Sequence, residues 1–373
     1  MTRTSEKKFI ESMLEHAGIT INGNQPWDIQ VHDENVYRRV LRQGELGLGE
    51  AYMENGWDCE RLDVLITRLL EAKLDEKIKI PWHFFISYSM ARLINFQGKT
   101  QSKQAIHHHY DLGNSLFKAM LDEKMMYSCA YFRNVSTLDE AQTAKLELVC
   151  QKLQLKPGMK VLDIGCGWGG LAKYMAEKFA VHVTGITLSE QQYQFAKENC
   201  KNLDVEIRLQ DYRDLNECFD RIVSIGMFEH VGPLNYRKFM EIVHRSLIEK
   251  GLFLLHTIGS NRSHFLSSQW IRKYIFPKGH LPSIQQIASA SEPFFTMEDW
   301  HNFGADYDKT LMAWYDNFSH HWEALKKDYD ERFYRMWTYF LLGSAACFRA
   351  RSQQLWQIVF SKGGKPGGYL SIR

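Results

Sequence analysis

The chain has 373 residues and a formal net charge of +2, with 45% apolar and 24% charged residues. That length allows one large domain plus a smaller one, the composition excludes extended disorder, and the near-neutral balance argues against a broad nucleic-acid-binding surface. Seven cysteines, odd in number and nowhere spaced C-x-x-C, point to reduced thiols in a cytoplasmic setting and to no structural zinc.

The N-terminus, "MTRTSEKKFIESMLEH", is broken by charge and lacks the apolar core of a signal peptide. No uncharged run is long enough to span a bilayer, so the chain is expected to be cytoplasmic or to lie on a membrane without crossing it. Between residues 7 and 94, apolar residues recur at three and four spacing in "FIESMLEHAGI" and "LDVLITRLLEAKL", with glycine-bearing joints between them. This predicts a small, largely helical N-terminal domain over 1–95. The polar stretch "FQGKTQSKQAIHHH" reads as the linker that follows. Three consecutive histidines suggest a metal, but neighbouring side chains diverge in any regular structure, and no metal site is expected.

From residue 159 the texture changes. Short β-branched runs, "KVLDIG", "VHVTGIT", "VEIRLQ", "RIVSIGM" and "GLFLLHTIG", alternate with amphipathic segments such as "GLAKYMAEKFA" and "SEQQYQFAKENC". Strands joined by helix-length connectors imply right-handed crossovers and a mainly parallel sheet. An aromatic-rich insertion follows at about 261–294, then "FFTMEDW", a helical region over about 309–351, and "LWQIVFSK". The last two apolar runs are expected to pair on the same sheet and bring it to seven strands. Residues 96–373 are thus read as one α/β, Rossmann-like catalytic domain.

"VLDIGCGWGG", residues 161–170, follows the first of these strands and opens a helix. Glycine lets a backbone pass close to a ligand and adopt positive φ. Gly165, Gly167 and Gly170 satisfy G-x-G-x-x-G, a pattern that fits nicotinamide dinucleotides and S-adenosylmethionine alike. Its surroundings favour the latter. Asp163 would repel a pyrophosphate but face a cationic amino-acid moiety. The second strand ends in "TLSEQQ", whose Thr187, Leu188 and Gln192 can meet a ribose or an amino acid, whereas Glu190 falls in the next helix. Asp211 and Tyr212, after the third strand, stand where an adenine edge would lie. The domain is read on this basis as a class I methyltransferase.

"FEHVG", residues 228–232, puts Glu229 beside His230 after an apolar strand. A helix cap, a solvated loop pair and a functional site are all open on that pattern alone.

Eight segments in order, "HYDLGN" (109–114), "YSCAYF" (127–132), "LDIGCGWGG", "TLSEQQ", "FDRIVSIGMFEHVG", "LLHTIGS" (254–260), "WIRKYIFPKGHLPS" and "DWHNFGADYDKTLMAWY" (299–315), resemble the bacterial cyclopropane-fatty-acyl-phospholipid synthases. The likeness includes the N-terminal domain, which the related mycolic acid cyclopropane synthases lack, and so points to the phospholipid-acting branch. It implies transfer of the methyl of S-adenosylmethionine to a cis double bond of an acyl chain in a membrane phospholipid. A proton is then lost and a cyclopropane ring closes. The expected cofactor set is completed by Tyr127, Ser128, Trp168 and Gly169.

The resemblance also implies a bicarbonate ion as the proton acceptor, with Cys129, Glu229, His256, Ile258 and Tyr307 around it. On this assignment Glu229 orients the ion and draws off the proton, Cys129 contributes its backbone N–H more than its sulfur, and His230 is left as local structure. Read without the resemblance, His256 is a satisfied strand-end residue and Cys129 a small buried hydrophobe. Aromatic walls suit a reaction that passes through two cations and must exclude water; Tyr127, Trp168, Tyr274, Phe276, Tyr307 and Trp314 are candidates, with core packing the favoured reading of Trp314. His109 and Tyr110 are candidates for the substrate channel. Some relatives carry a cysteine three residues before Cys347, where this chain has Ser344, so no covalent role is assigned there. "QWIRKYIFPKGHLPS" interleaves rings with cations in a way that suits an anionic membrane surface, or else forms a buried lid. A homodimer is expected from the family likeness.

Overall fold

The three-and-four apolar spacing near the N-terminus folds as expected into helices. The computed structural model describes residues 3–73, 113–263 and 268–373; the "HHHY" run and the 95/96 boundary lie outside the described residues. Helices α1 (Arg3–Glu15), α2 (Asn35–Gln43), α3 (Glu45–Met53) and α4 (Leu62–Glu71) surround a two-stranded antiparallel ribbon, β1 (Gln30–Val31) with β2 (Trp57–Asp58). Their apolar faces meet in a cluster that includes Leu14, Ile19, Val36, Trp57 and Leu65.

Next come α5 (Asn114–Met120) and α6 (Leu138–Lys152), the latter opened by a Thr137–Glu140 capping box that satisfies the first free N–H groups. Then the alternation begins: β3 (Lys160–Ile164), α7 (Gly170–Phe179), β4 (His182–Thr187), α8 (Glu190–Asn199), β5 (Val205–Leu209), β6 (Phe219–Ile225), α9 (Tyr236–Ser246) and β7 (Leu247–Gly259). Beyond residue 268 lie α10 (Gln269–Tyr274), α11 (Ile284–Ser291), β8 (Thr296–Asn302), α12 (Ala305–His320), α13 (Trp322–Leu325), α14 (Glu331–Arg349) and β9 (Gln354–Ser361).

Strands β3 to β9 form one sheet in the order β5-β4-β3-β6-β7-β9-β8. The first five are parallel, and β9 runs antiparallel to both neighbours. Both faces of the central strands are covered, which explains runs such as β3 and β9 that are buried along most of their length rather than alternating, whereas the edge strands β5 and β8 are partly exposed. Leu162, Ile164, Ile222, Phe253 and Phe360 serve one core, while Val161, Val223, Leu252, Leu254 and Val359 serve the other. The chain moves outward from β3 to β5 and then returns to place β6 against β3. Loops leaving the carboxyl ends of β3 and β6 therefore flank the crevice in which doubly wound sheets bind ligands.

By contacts the chain divides into two compact units. One holds the described residues 3–73, 268–277 and 311–353; the other holds 113–263, 278–310 and 354–373 and contains the whole sheet. In the first unit the aromatic segment around α10 turns inward. Trp270 is buried, its ring against Gly49, and Tyr274 Oη donates to Glu50 Oε1 at 2.8 Å. A side chain at residue 49 would overlap the indole, so the glycine in α3 creates this seat. The interfacial display expected of Trp270 and Ile275 is corrected: both are core residues, and Arg272 and Lys273 are the exposed ones. Arg335 of α14 closes the same unit. Its Nε donates to Tyr52 O at 2.5 Å, its Nη2 to Trp57 O at 2.9 Å and to Asp58 Oδ1 at 2.7 Å, and its guanidinium lies 4.0 Å from the Tyr52 ring centroid.

Candidate active site

After β3 the backbone turns through Gly165, Gly167 and Gly169 at φ values of 83°, 54° and 83°, the left-handed region that glycine enters freely. The loop bounds a pocket of about 1110 Å³ including its open mouth. Of the expected cofactor residues, Tyr127, Ser128, Asp163, Gly165, Gly167 and Trp168 line it, and so do Thr187, Leu188, Gln192 and Tyr212. Thr187 and Gln192 are linked at the tip of β4 by a 2.9 Å hydrogen bond from Oγ1 to Oε1. Glu190 is the first residue of α8, as expected.

Two expected residues stand off the wall. Gly169 caps α7 and packs on Ala196 and Cys200. The Asp211 carboxylate accepts from Arg213 N, Nε and Nη2 at 2.9, 2.8 and 2.7 Å, so its neighbours Gln210, Tyr212 and Arg213 face the pocket instead.

Asp163 is buried at the pocket floor, and burial pushes its pKa up to about 7 against the pull of the Lys145 ammonium. A carboxylate in that state gains ionised character when a cation arrives beside it. With the open glycine turn and the paired hydroxyl and amide of β4, this donor set fits an adenosyl group ending in an amino acid.

The second constellation forms where β6 stops. Ile225 pairs with His256, and Gly226 N donates to His256 O at 3.0 Å. Two residues further along β7 the Ile258 N–H points to the same side, past the end of β6, and Glu229 Oε1 accepts it at 2.7 Å. Glu229 sits on a single 3₁₀ turn, Phe228–His230, braced by His280 N donating to Glu229 O at 2.8 Å and by Phe228 stacked on Tyr236 at 4.3 Å. Burial drives the Glu229 pKa up to about 7, opposed chiefly by its bond from the Ile258 N–H. Its Oε2 is buried and has no hydrogen-bond partner.

His256 is also buried and its pKa is pushed well down, first by burial and then by the Lys145 and Lys152 ammonium groups, so the ring is neutral. The Gln357 amide nitrogen stands 3.3 Å from Nδ1; with the amide assigned in this orientation it donates there, and the neutral ring carries its proton on Nε2. That Nε2 is buried and unpartnered. Cys129 is fully buried with its thiol pKa well above the ordinary value through burial, so it stays protonated. The residues after it are stitched to the first turns of α12: Ala130 N donates to Thr310 Oγ1 at 3.1 Å and Phe132 N to Asp306 Oδ2 at 2.9 Å. Tyr307, buried, lies between those two anchors on α12. Phe303 links the two halves, its ring 5.8 Å from that of His256 and 5.2 Å from that of Tyr131.

Among the aromatic candidates, Tyr127 and Trp168 wall the pocket, both packed on Phe117 at 5.2 and 4.9 Å. Tyr274, Phe276 and Trp314 belong to the helical unit, where Trp314 is buried and Phe276 packs edge-on against Phe340. His109 and Tyr110 fall outside the described residues.

His230 departs from its expected part as local structure: it lines the pocket, and burial lowers its pKa to about 4, leaving a neutral imidazole. Gln142 and Lys145 were not singled out in the sequence, yet both are fully buried behind the pocket wall. Their signal was available: "AQTAKLELVCQK" places a glutamine and a lysine among apolar residues on one helical face, where a solvated charge does not belong.

A family model described as mycolic acid cyclopropane synthetase matches residues 97–358. The cyclopropane-fatty-acyl-phospholipid synthase of Escherichia coli (strain K12) is 54% identical over 362 residues, covering 96% of this chain and 94% of that protein. Among solved structures, a cyclopropane synthase of Mycobacterium tuberculosis superposes with a TM-score of 0.67 at 33% identity, covering 70% of this chain and 98% of that one. A mycolic acid cyclopropane synthase complexed with SAH and CTAB gives 0.66 at 35% identity, with the same coverage of 70% and 98%. With its glycine loop, its pocket and its seven-stranded sheet in place, the chain belongs to the cyclopropane synthetase family of S-adenosylmethionine-dependent methyltransferases.

Proposed function

We propose that this protein transfers the methyl carbon of S-adenosylmethionine to a cis double bond in a phospholipid acyl chain and closes a cyclopropane ring. The observation that carries this is likeness along 96% of the chain to a relative named for that acceptor, with the cofactor pocket intact. When bound, S-adenosylmethionine supplies an electrophilic methyl group, and a bicarbonate ion supplies a base. Asp163 receives the cationic amino-acid end of the cofactor; Thr187, Leu188 and Gln192 meet its ribose, Tyr212 and residues near Asp211 its adenine. Tyr127 and Trp168 present ring faces to positive charge and exclude water that would trap the alkyl cation as an alcohol.

Cys129, Glu229, His256, Ile258 and Tyr307 would hold the bicarbonate ion. The fit rests on Glu229 Oε2, an acceptor, and His256 Nε2, a donor, both buried without partners. Glu229, whose pKa lies near neutrality, draws off the proton. Residues 96–373 carry the chemistry. Among the described residues no helix is long and apolar enough to cross a membrane; the protein acts as a homodimer docked on the inner face of the cell membrane.

The test uses S-adenosylmethionine labelled in its methyl group and vesicles of cis-unsaturated or saturated phospholipid. Label should enter the unsaturated chains alone, with one methylene added per alkene consumed. Equal labelling of both vesicle types, or a methylated headgroup, defeats the proposal.

A further inference from the structure

Helix α6 carries two polar residues into the core behind the cofactor pocket, Gln142 and Lys145, one turn apart and both fully buried. Gln142 Nε2 donates to Ser128 O at 2.8 Å and to Met126 O at 3.3 Å. Lys145 Nζ donates to Ser128 Oγ at 2.9 Å. Met126 and Ser128 line the pocket, so this pair grips its wall from the rear.

The direction of the lysine bond has a chemical consequence. An ammonium group has three protons and no lone pair, so the Ser128 oxygen must accept. The hydroxyl proton is then turned away from Lys145, and no acceptor for it is found among the described residues. The same pocket is lined by Asp163, a carboxyl group that gains negative charge beside a cation. The amino-acid end of the cofactor carries one charge of each sign, and a carboxylate can satisfy only the ammonium half.

We propose that Lys145 is a positioning residue that fixes the Ser128 hydroxyl as a donor to the cofactor's carboxylate, while Asp163 faces the ammonium. This rests on the S-adenosylmethionine assignment. Burial brings the Lys145 pKa down to about 8, so the side chain is still mostly protonated at neutral pH. The competing account makes Lys145 only a counter-charge to Asp122. That carboxylate, however, is already held by the N–H groups of Lys124 and Met126 at 3.0 and 2.8 Å, and among the described residues it makes no ion pair with Lys145.

The experiment is calorimetric titration of the full-length protein with S-adenosylhomocysteine and with its decarboxylated analogue, which keeps the ammonium and lacks the carboxylate. A charge-assisted hydrogen bond is worth about 1.5–3 kcal/mol, so Lys145→Met and Ser128→Ala should each weaken S-adenosylhomocysteine by roughly 10- to 100-fold. The decarboxylated analogue should change by less than about threefold, a selectivity that wall disorder alone would not produce. Lys145→Arg, which keeps the charge, should recover most of the affinity. Equal losses for both ligands overturn the proposal. If Lys145→Met fails to fold, Ser128→Ala decides by the same comparison. Wild-type protein that binds neither ligand would instead sink the cofactor assignment itself.

Discussion

Glu229 Oε1 accepts the Ile258 backbone N–H at 2.7 Å, tying the turn after β6 to the strand that carries His256. One carboxylate oxygen is thus committed to structure, and the other, buried and unpaired, is left for chemistry. Replacing Glu229 by Gln keeps the shape and an oxygen for the Ile258 N–H but removes the carboxylate proposed to draw off the proton. The expected result is a fall in kcat of about 10²–10⁴, the usual range for loss of a general base, with the Kd for S-adenosylhomocysteine within about threefold. A comparable loss in both would move Glu229 to the cofactor site.

The elevated Glu229 pKa sets the pH dependence. Burial raises it to about 7, and its working form is the carboxylate, so kcat should climb through neutral pH and level off above it. In Glu229→Gln that limb should vanish. Stability moves the other way. With Glu229 and Asp163 both raised to about 7, the folded protein holds protons that the unfolded chain gives up nearer pH 4, so their contribution falls as pH rises from about 4 to 7. Thermal melts of the ligand-free protein across that window should show Glu229→Gln losing less than wild type.

Gly170 faces the Lys124 carbonyl so closely that an added Cβ would overlap it and press on Met126. Its φ is ordinary, so the constraint is space alone. Gly170→Ala should destabilise by about 1–3 kcal/mol, as overpacking does, and push residues 124–126 into the pocket. Calorimetry should register weaker S-adenosylhomocysteine binding, whereas alanine at Gly158, strained by a φ of 78° but outside the pocket lining, should leave affinity unchanged.

Arg335→Ala should cost the helical unit about 2–5 kcal/mol, because it removes a buried guanidinium that bonds the carbonyls of Tyr52 and Trp57 and the Asp58 carboxylate and packs on the Tyr52 ring. Differential scanning calorimetry should show a lower Tm, with S-adenosylhomocysteine affinity little altered.

Periodicity made the sheet legible. Each of the seven runs became a strand; the central ones are buried along most of their length because both faces are covered, while the edge strands β5 and β8 stay partly exposed. The glycine loop was legible for a different reason, since left-handed turns restrict the residue types that can occupy them. Lys145 and His230 were not, because a side chain's depth depends on what packs over it from distant segments. Trp270 illustrates the same limit: its rings and cations suit a membrane surface in sequence, and only the gap at Gly49 in α3 reveals that the indole turns inward. Asp211 looked available until Arg213, two residues on, engaged both its oxygens.

Arg335 gives the helical unit a further property. The guanidinium belongs to α14, but the groups it satisfies lie on residues 52–58, some 280 positions earlier in the chain. During synthesis Tyr52 O can accept the nearby Asn55 N–H at 3.1 Å, but the three bonds from Arg335 must wait until nearly the whole polypeptide has emerged. The first residues made are therefore among the last to be locked, and a nascent chain stalled before α14 would present Tyr52 and Trp57 without their closing partner.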